Sequence, residues 1–508
     1  MEIKKILIAN RGEIALRIIR TCKEIGIKTV ALCPLKGQED DFPETKFADE
    51  FYFLDKEGVQ GYLDQTKIIE IAKKAKVDAI HPGYGFLAEN ADFSELCFKS
   101  GIKFIGASPA MLKQLGDKIE AKKIAKKCGV PILASSMKTV ESEAECKAMV
   151  DQIGMPALLK AVDGGGGIGI EVIDKNNKKD LLPIFNKLQR VAQNAFGSGR
   201  IFVEKCLIKP RHIEFQVIGD GRGNAVHLFE RECSIQRRHQ KLIEEAPSPF
   251  VDWRMRDKMG RAACKIISFL KYEGLATVEF LVDDKKNFYF GEVNPRLQVE
   301  HPVTELITGF DLVAEQIRMA SGERLNLKQR HIKMSGWAME FRITAEDPFN
   351  NFVPQSGRVG NYQTPGGDGV EIHSFCKRGQ KIFPFFDSLI SKMVIYHKDR
   401  KMVLARSRRA FDEYIIDGIV TNIPFHKAVL ENDNFNKGIF STHFIEGEKI
   451  LEGLKKEKIK KPSKHRPKED ALEQEELAYI LANIYHDIKG HAQSGGHSSK
   501  WKMASRLQ

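Results

Sequence analysis

The segment Gly291 to Glu305, GEVNPRLQVEHPVTE, constrains this chain more than any other. Glu292, Asn294, Arg296, Gln298 and Glu300 alternate with Val293, Pro295, Leu297 and Val299. A period of two fits an extended segment, with the polar groups on one face and the apolar groups on the other. Taken alone, that is the pattern of a half-buried strand with a solvated face. Pro295 cannot donate to a ladder and argues against a regular central strand.

The preceding residues sharpen the reading. Thr277 to Val282 (TVEFLV) and Asn287 to Val293 (NFYFGEV) predict two strands, with a turn at Asp284, Lys285 and Lys286. Folding that hairpin symmetrically about Lys285 and Lys286 sets Glu279 opposite Glu292. Facing carboxylates repel, and a bound cation turns the repulsion into attraction. Hard oxygen ligands suit Mg²⁺ or Mn²⁺, which bind one or two carboxylates together with substrate phosphates. Asn294 follows on the same face as a third oxygen donor. The stretch predicts a metal ledge for phosphate chemistry.

At 508 residues the chain exceeds one typical core and predicts about three domains. The nine cysteines are scattered, with no CxxC pair, which fits reduced thiols in a cytoplasm. No apolar run is long enough for a membrane span, and Met1 to Lys5 leads straight into an apolar strand without a leader pattern. The formal charge is +12. From Gly447 onward there are 13 Lys+Arg against 9 Asp+Glu, a net +4, which leaves +8 for the body. No basic stripe interleaved with aromatics is present, so the charge points to an anion-binding enzyme or a lysine fringe rather than to nucleic acid.

In chain order, Lys4 to Ala9, Gly12 to Ile25 and Lys28 to Cys33 predict a βαβ unit. It lacks the GxGxxG turn, so NAD binding is not expected. Strands at Ala79 to His81 and Lys103 to Gly106 flank a turn-rich loop, His81 to Leu87, which fits a ligand loop or a structural turn. Gly116 to Gly129 predicts a basic helix that opens with Lys118. Lys160 precedes the glycine run Gly164 to Gly167, whose bare amides could close over phosphates; a surface loop is the other reading. Ile201 to Cys206 is a strand, and Ile213 to Ile218 with Ala225 to Phe229 a hairpin. Glu230 to Pro247 carries Arg231, Arg237, Arg238, His239 and Lys241, and its periodicity assigns no element. Helices are predicted at Asp257 to Leu270 and Ile307 to Ser321, and an alternating strand at Gly336 to Thr344. A small α+β unit follows. Lys455 to Lys468 holds eight Lys+Arg and one Glu, a linker composition. Ala471 to Ile488 predicts an amphipathic helix, which either docks a partner or folds back on the body.

Together these residues resemble biotin carboxylase, the ATP-grasp subunit of biotin-dependent carboxylases. The resemblance runs from Lys4 to about Glu446. It rests on IANRGEIALRI, HPGYGFLAEN, GDK, KA before the glycine run, ECSIQRRHQK, NPRLQVEHPVTE, EFRITAEDP and IDGIVTNI, in that order. It implies an α/β and α+β multidomain fold. Residues 1–115 would form a Rossmann-like N-terminal domain, 116–330 an ATP-grasp domain with a glycine-rich lid at about 131–204, and 331–446 a biotin carboxylase C-terminal domain. Residues 447–470 would be a basic linker and 471–508 a helix and tail.

The resemblance implies that Lys118, Lys160, Glu204, Lys205, Leu207, His212, Gln236, His239, Glu279 and Glu292 bind ATP, with Gly165 and Gly166 in its phosphate cover. Glu279, Glu292 and Asn294 would hold two Mg²⁺ or Mn²⁺ ions. Lys241, Arg296, Gln298, Val299 and Glu300 would bind bicarbonate, with Glu300 as its base, and Arg342 would face biotin. The implied reaction is ATP-dependent carboxylation of biotin through carboxyphosphate, giving carboxybiotin, ADP and phosphate. No biotinyl-lysine motif follows, so biotin would arrive on a separate biotin carboxyl carrier protein. A carboxyltransferase subunit would complete the enzyme, and a homodimer is implied. Acetyl-CoA, propionyl-CoA, another acyl-CoA and a 2-oxoacid all remain open as acceptors. The chain departs from the family pattern at Ile168 and Ile170, where a cation and Met are usual, at Glu44-Thr45 for His-Val, and at Glu371 and His373 for Arg and Asp.

Overall fold

A computed structural model describes residues 2–163 and 169–454. The expectations for Gly165, Gly166 and Ile168, and for the linker and tail beyond 454, lie outside these described residues.

The N-terminal unit follows from short apolar strands separated by helical spacing. Strands β1 (Lys5–Ile8), β2 (Lys28–Cys33), β3 (Glu50–Phe53), β4 (Ala79–His81) and β5 (Lys103–Phe104) form a parallel sheet in the order β3-β2-β1-β4-β5. Of the residues at helical spacing, helix α1 (Gly12–Glu24) buries Ile14, Ile18 and Ile19, while Ile25 caps its C-terminus and is exposed. Helix α2 (Lys118–Lys127) is opened by Asp117, whose carboxylate accepts the Ile119 and Glu120 amides.

A second unit is a small antiparallel sheet of β6 (Ala157–Ala161), β7 (Ile170–Ile173) and β8 (Ile201–Lys205), in the order β7-β6-β8. Its core holds Leu159, Val203, Phe185 and Leu188.

The third sheet carries most of the site. Strands β9 (Arg211–Asp220), β10 (Ala225–Arg237), β11 (Gln240–Ala246), β12 (Glu273–Val282), β13 (Phe288–Asn294), β14 (Trp337–Thr344), β15 (Val370–Ser374) and β16 (Leu389–His397) form one eight-stranded antiparallel sheet. Its order is β13-β12-β9-β10-β11-β14-β16-β15, so the sheet continues without a break from residues before 330 to residues after 337. Helix α3 (Trp253–Phe269) packs against β9 and β10 through Met259, Ala263 and Ile266. Glu230 to Pro247, which periodicity could not assign, is the end of β10 and all of β11. Arg238 and His239 turn between them with positive φ, at 50° and 66°.

Three sequence expectations are corrected. The polar row from Glu292 to Glu300 is not one extended face. Strand β13 stops at Asn294, Pro295 follows, and Gln298 and Glu300 turn inward and are buried. The hairpin is not symmetric throughout. Val278 pairs with Val293 but Phe280 with Phe290, so a bulge sets both Gly291 and Glu292 against Glu279. The helix expected from Ile307 to Ser321 is two helices, α4 (His301–Thr308) and α5 (Leu312–Ala320). Gly309 at φ +74° ends the first, and Asp311 caps the second.

Candidate active site

A cavity of about 1270 Å³ opens where the three sheets meet. Lys118 reaches it from α2, Lys160 from β6, and Leu207 from the loop after β8. His212, Gln236, His239, Lys241, Glu279, Glu292 and Asn294 line it from the large sheet and its turns. Arg296, Gln298 and Val299 line it from the loop after β13, and Arg342 from β14. Ile170 at the start of β7 is on the wall.

Glu300, Glu204 and Lys205 are placed differently. Glu300 sits behind the wall, fully buried. Its Oε1 accepts from Lys241 Nζ at 2.6 Å and its Oε2 from Arg342 Nη2 at 2.8 Å. Glu204 is buried between Lys122 and Lys160. The structure does not bring the Lys205 ammonium to the cavity. It donates to the carbonyls of Gly154 and Met155 at 3.1 and 3.0 Å, on the small sheet.

Ion pairs order the floor of the cavity. Lys241 Nζ touches three carboxylates, Glu300 and Glu214 at 2.6 Å each and Glu279 at 3.3 Å. Burial alone would push the Glu300 carboxyl up, but Lys241, Arg342 and Arg231 outweigh it and hold it well below the usual carboxylate range. Burial likewise opposes ionisation of Glu279, and Lys241 and His212 overcome it. Both groups are therefore anions at neutral pH. Burial and Arg342 contend at Glu244, where burial wins and pushes the carboxyl up to about 7.

The expected metal ledge has the right chemistry. Asn294 Nδ2 donates to Glu279 Oε1 at 2.9 Å, and His212 Nε2 lies 3.0 Å from Glu279 Oε2. Lys118 Nζ is 3.6 Å from Glu292 Oε2. Carboxylate oxygens from Glu279 and Glu292 with the Asn294 amide oxygen are a hard-oxygen set of the kind Mg²⁺ takes. Beyond the ledge, Arg296 Nε meets Glu89 at 2.8 Å, and its Nη1 donates to Gln298 Oε1 at 3.0 Å.

Comparison with known proteins separates this site from other phosphate sites. Residues 2–112 match the family described as "Biotin carboxylase, N-terminal domain". Residues 117–328 match "Carbamoyl-phosphate synthase L chain, ATP binding domain", and residues 340–447 match "Biotin carboxylase C-terminal domain". The chain belongs to the biotin carboxylase family. It is 48% identical to a pyruvate carboxylase subunit of Methanothermobacter thermautotrophicus over 443 residues, covering 87% of this chain and 89% of that protein. It is 41% identical to the 2-oxoglutarate carboxylase small subunit of Hydrogenobacter thermophilus over 487 residues, 96% of this chain and 100% of that protein. The biotin carboxylase domain dimer of the Hydrogenobacter enzyme, solved with MgADP, ADP and bicarbonate, superposes with a TM-score of 0.86 at 42% identity, covering 89% of this chain and 99% of that one.

Sequence reading of this biotin carboxylase homologue gave no role to the groups behind the wall, though it named Arg231 among the cations of Glu230 to Pro247. Arg231 is fully buried and donates to Glu214 at 2.6 Å, Gln216 at 2.9 Å, and Thr304 and Thr277 at 3.0 Å each. Glu244 anchors Arg342 from the far side, accepting from Nε at 2.6 Å. Lys392 is buried, with Nζ 2.7 Å from the Val299 carbonyl and 3.2 Å from Glu13. Glu214 and Gln216, both polar in the apolar strand IEFQVI, were the available signal for such a network.

Proposed function

We propose that this chain carboxylates biotin on a separate biotin carboxyl carrier protein, using ATP and bicarbonate and passing through carboxyphosphate. The product would be carboxybiotin, with ADP and phosphate. The observation that carries the reading is Glu300, an anion held between Lys241 and Arg342 at the end of a cavity lined by Lys118, Lys160 and Arg296.

Lys118 and Lys160 would hold the nucleotide's phosphates, with Leu207, His212, Gln236 and His239 along the cavity wall. Glu204 would act through Lys160 from the strand behind it. Glu279, Glu292 and Asn294 would hold two Mg²⁺ or Mn²⁺ ions, which supply charge neutralisation at the phosphates when bound. Arg296 presents a fork that matches a planar anion, and bicarbonate would lie between it, Lys241, Gln298 and the Val299 backbone. Lys241 and Arg342 stabilise Glu300 strongly as an anion, which weakens it as a base. Bicarbonate would draw the charge of Lys241 toward itself, which frees Glu300 to accept its proton. Arg342, pinned by Glu244, would then stabilise the ureido oxygen as biotin loses a proton.

The acceptor supported best is a 2-oxoacid. The Methanothermobacter pyruvate carboxylase chain is 48% identical, and the Hydrogenobacter 2-oxoglutarate carboxylase chain matches 96% of this one. A separate carboxyltransferase subunit would complete such an enzyme in the cytoplasm, and the dimeric Hydrogenobacter domain supports a homodimer.

The test is ADP release by the purified chain with Mg²⁺ and ATP, adding bicarbonate and then biotin or carrier protein. Turnover should need bicarbonate, rise with biotin and vanish in Glu300→Ala. Bicarbonate-dependent turnover indifferent to both biotin and carrier would sink this reading in favour of another ATP-grasp ligase.

A further inference from the structure

Lys118 and Lys122 stand one turn apart on α2 and project from the same side of the helix. Lys118 lines the cavity and Lys122 does not. The Lys122 side chain is only 3% exposed. An ammonium that deep needs a paired charge, and Glu204 of β8, itself 2% exposed, supplies it.

That carboxylate is shared by two ammonium groups. Its Oε1 accepts from Lys122 Nζ. Its Oε2 accepts from Lys160 Nζ at 3.3 Å. Lys160 lines the cavity and Lys122 does not. Burial opposes ionisation of Glu204, and Lys122 first and Lys160 second overcome it. Burial also pushes the Lys122 ammonium down, with Glu204 opposing, so the pairing rests on the geometry of two buried opposite charges in contact.

This arrangement meets a difficulty that nucleotide binding creates. A phosphate recruiting Lys160 takes it away from Glu204. With Lys160 as sole partner, each binding event would strand a buried carboxylate, and the lysine would resist leaving. Resting on the ATP reading above, we propose that Lys122 is a positioning residue: it is the permanent counter-ion of Glu204, and so leaves the Lys160 ammonium free to turn to the nucleotide's phosphates. Two ammonium groups around one carboxylate also leave one positive charge, and geometry places it on the cavity side.

The experiment uses the full chain as wild type, Lys122→Met, Lys122→Arg, Glu204→Gln and the double variant Lys122→Met/Glu204→Gln. Two quantities are read: KM for ATP in bicarbonate-dependent ADP release, and Kd for MgADP by calorimetry. Lys122→Met should raise both by about ten-fold or more, with kcat at saturating ATP within about three-fold, because Glu204 captures Lys160. Lys122→Arg keeps the charge and should stay within about three-fold of wild type. The double variant removes the carboxylate that needs a partner, so its Kd should match that of Glu204→Gln within about three-fold.

Unchanged ATP affinity in Lys122→Met would overturn the proposal. So would a double variant about ten-fold weaker than Glu204→Gln, since Lys122 would then act by another route. If Lys122→Met does not fold, the double variant still decides, because it strands neither charge, whereas Glu204→Gln leaves the buried Lys122 ammonium unpaired. The double variant's Kd should stay within about three-fold of wild type, and a loss of about ten-fold would overturn the proposal. Calorimetry reads the nucleotide alone. A wild-type chain that binds MgADP without turnover would therefore refute the function proposed above while the Kd comparison still judged Lys122.

Discussion

The Lys392 ammonium and the Val299 carbonyl meet at 2.7 Å in the interior of the molecule. Lys392 belongs to β16, and Val299 to the loop that ends at Glu300. The same ammonium lies 3.2 Å from Glu13 on α1, so one buried cation ties the N-terminal helix, the large sheet and the site loop together. Lys392→Met would leave Glu13 without this partner and the Val299 carbonyl without its donor. A loss of about 3–5 kcal/mol in stability is expected, the range for breaking a buried pair from one side. Urea denaturation measures it, and a change below about 1 kcal/mol would show the contact to be incidental.

Arg342 is gripped by Glu244 on one side and touches Glu300 on the other. Glu244→Gln keeps an acceptor but removes the anchoring charge. Bicarbonate-dependent ADP formation without biotin should persist, while the biotin concentration for half-stimulation should rise about ten-fold. Equal loss of both rates would mean that Glu244 serves the whole floor rather than Arg342.

Glu44 is fully buried, and its Oε1 accepts the Gly12 amide at 3.1 Å. Burial pushes its carboxyl up to about 7, with Arg11 opposing. A carboxyl raised on folding favours the native state at low pH, and that advantage is lost as pH rises from the unfolded value through about 7. Glu44→Gln escapes this loss. Relative to wild type it should gain up to about 3 kcal/mol between pH 5 and pH 8. A mutant-to-wild-type difference that is flat across this range would contradict the assignment.

Glu292 faces Lys118 at 3.6 Å on the ledge proposed for divalent ions. Chelation should abolish turnover. Glu292→Gln should raise the Mg²⁺ concentration for half-maximal rate about ten-fold while leaving the melting temperature without nucleotide within about 2 °C. An unchanged Mg²⁺ requirement would remove Glu292 from the ion's ligands.

The parts of the fold that were legible are those where polarity follows the chain's period. Strands β2 and β4 came out at the observed residues, because apolar runs bounded by turn signals bury both faces. The break at Gly309 was missed because apolar spacing continues on both sides of it, through Ile307 to Leu312, Val313 and Ile317. The end of β10 and all of β11 were illegible for the opposite reason. Glu230, Arg231, Glu232, Glu244 and Glu245 are buried charges, which hydropathy reads as surface. Within the candidate site, cavity-lining residues carried recognisable motifs. Their supporting partners did not, because Lys392 meets Val299 across 93 positions and Arg342 meets Glu244 across 98.

The unbroken eight-stranded sheet sets a limit on how this chain can be taken apart. Strand β14 hydrogen-bonds to β11 from Ala338 to Phe341. A cut near residue 330, intended to harvest the C-terminal part as a free module, would expose that row of amides and carbonyls as a raw edge. Such an edge seeks another strand, and the fragment would pair with copies of itself or with any extended segment it met. Recombination between relatives faces the same seam. A swap that respects the chain's linear order but not the β11–β14 join would have to bring both strands across together, so the unit of inheritance here is the sheet rather than the interval.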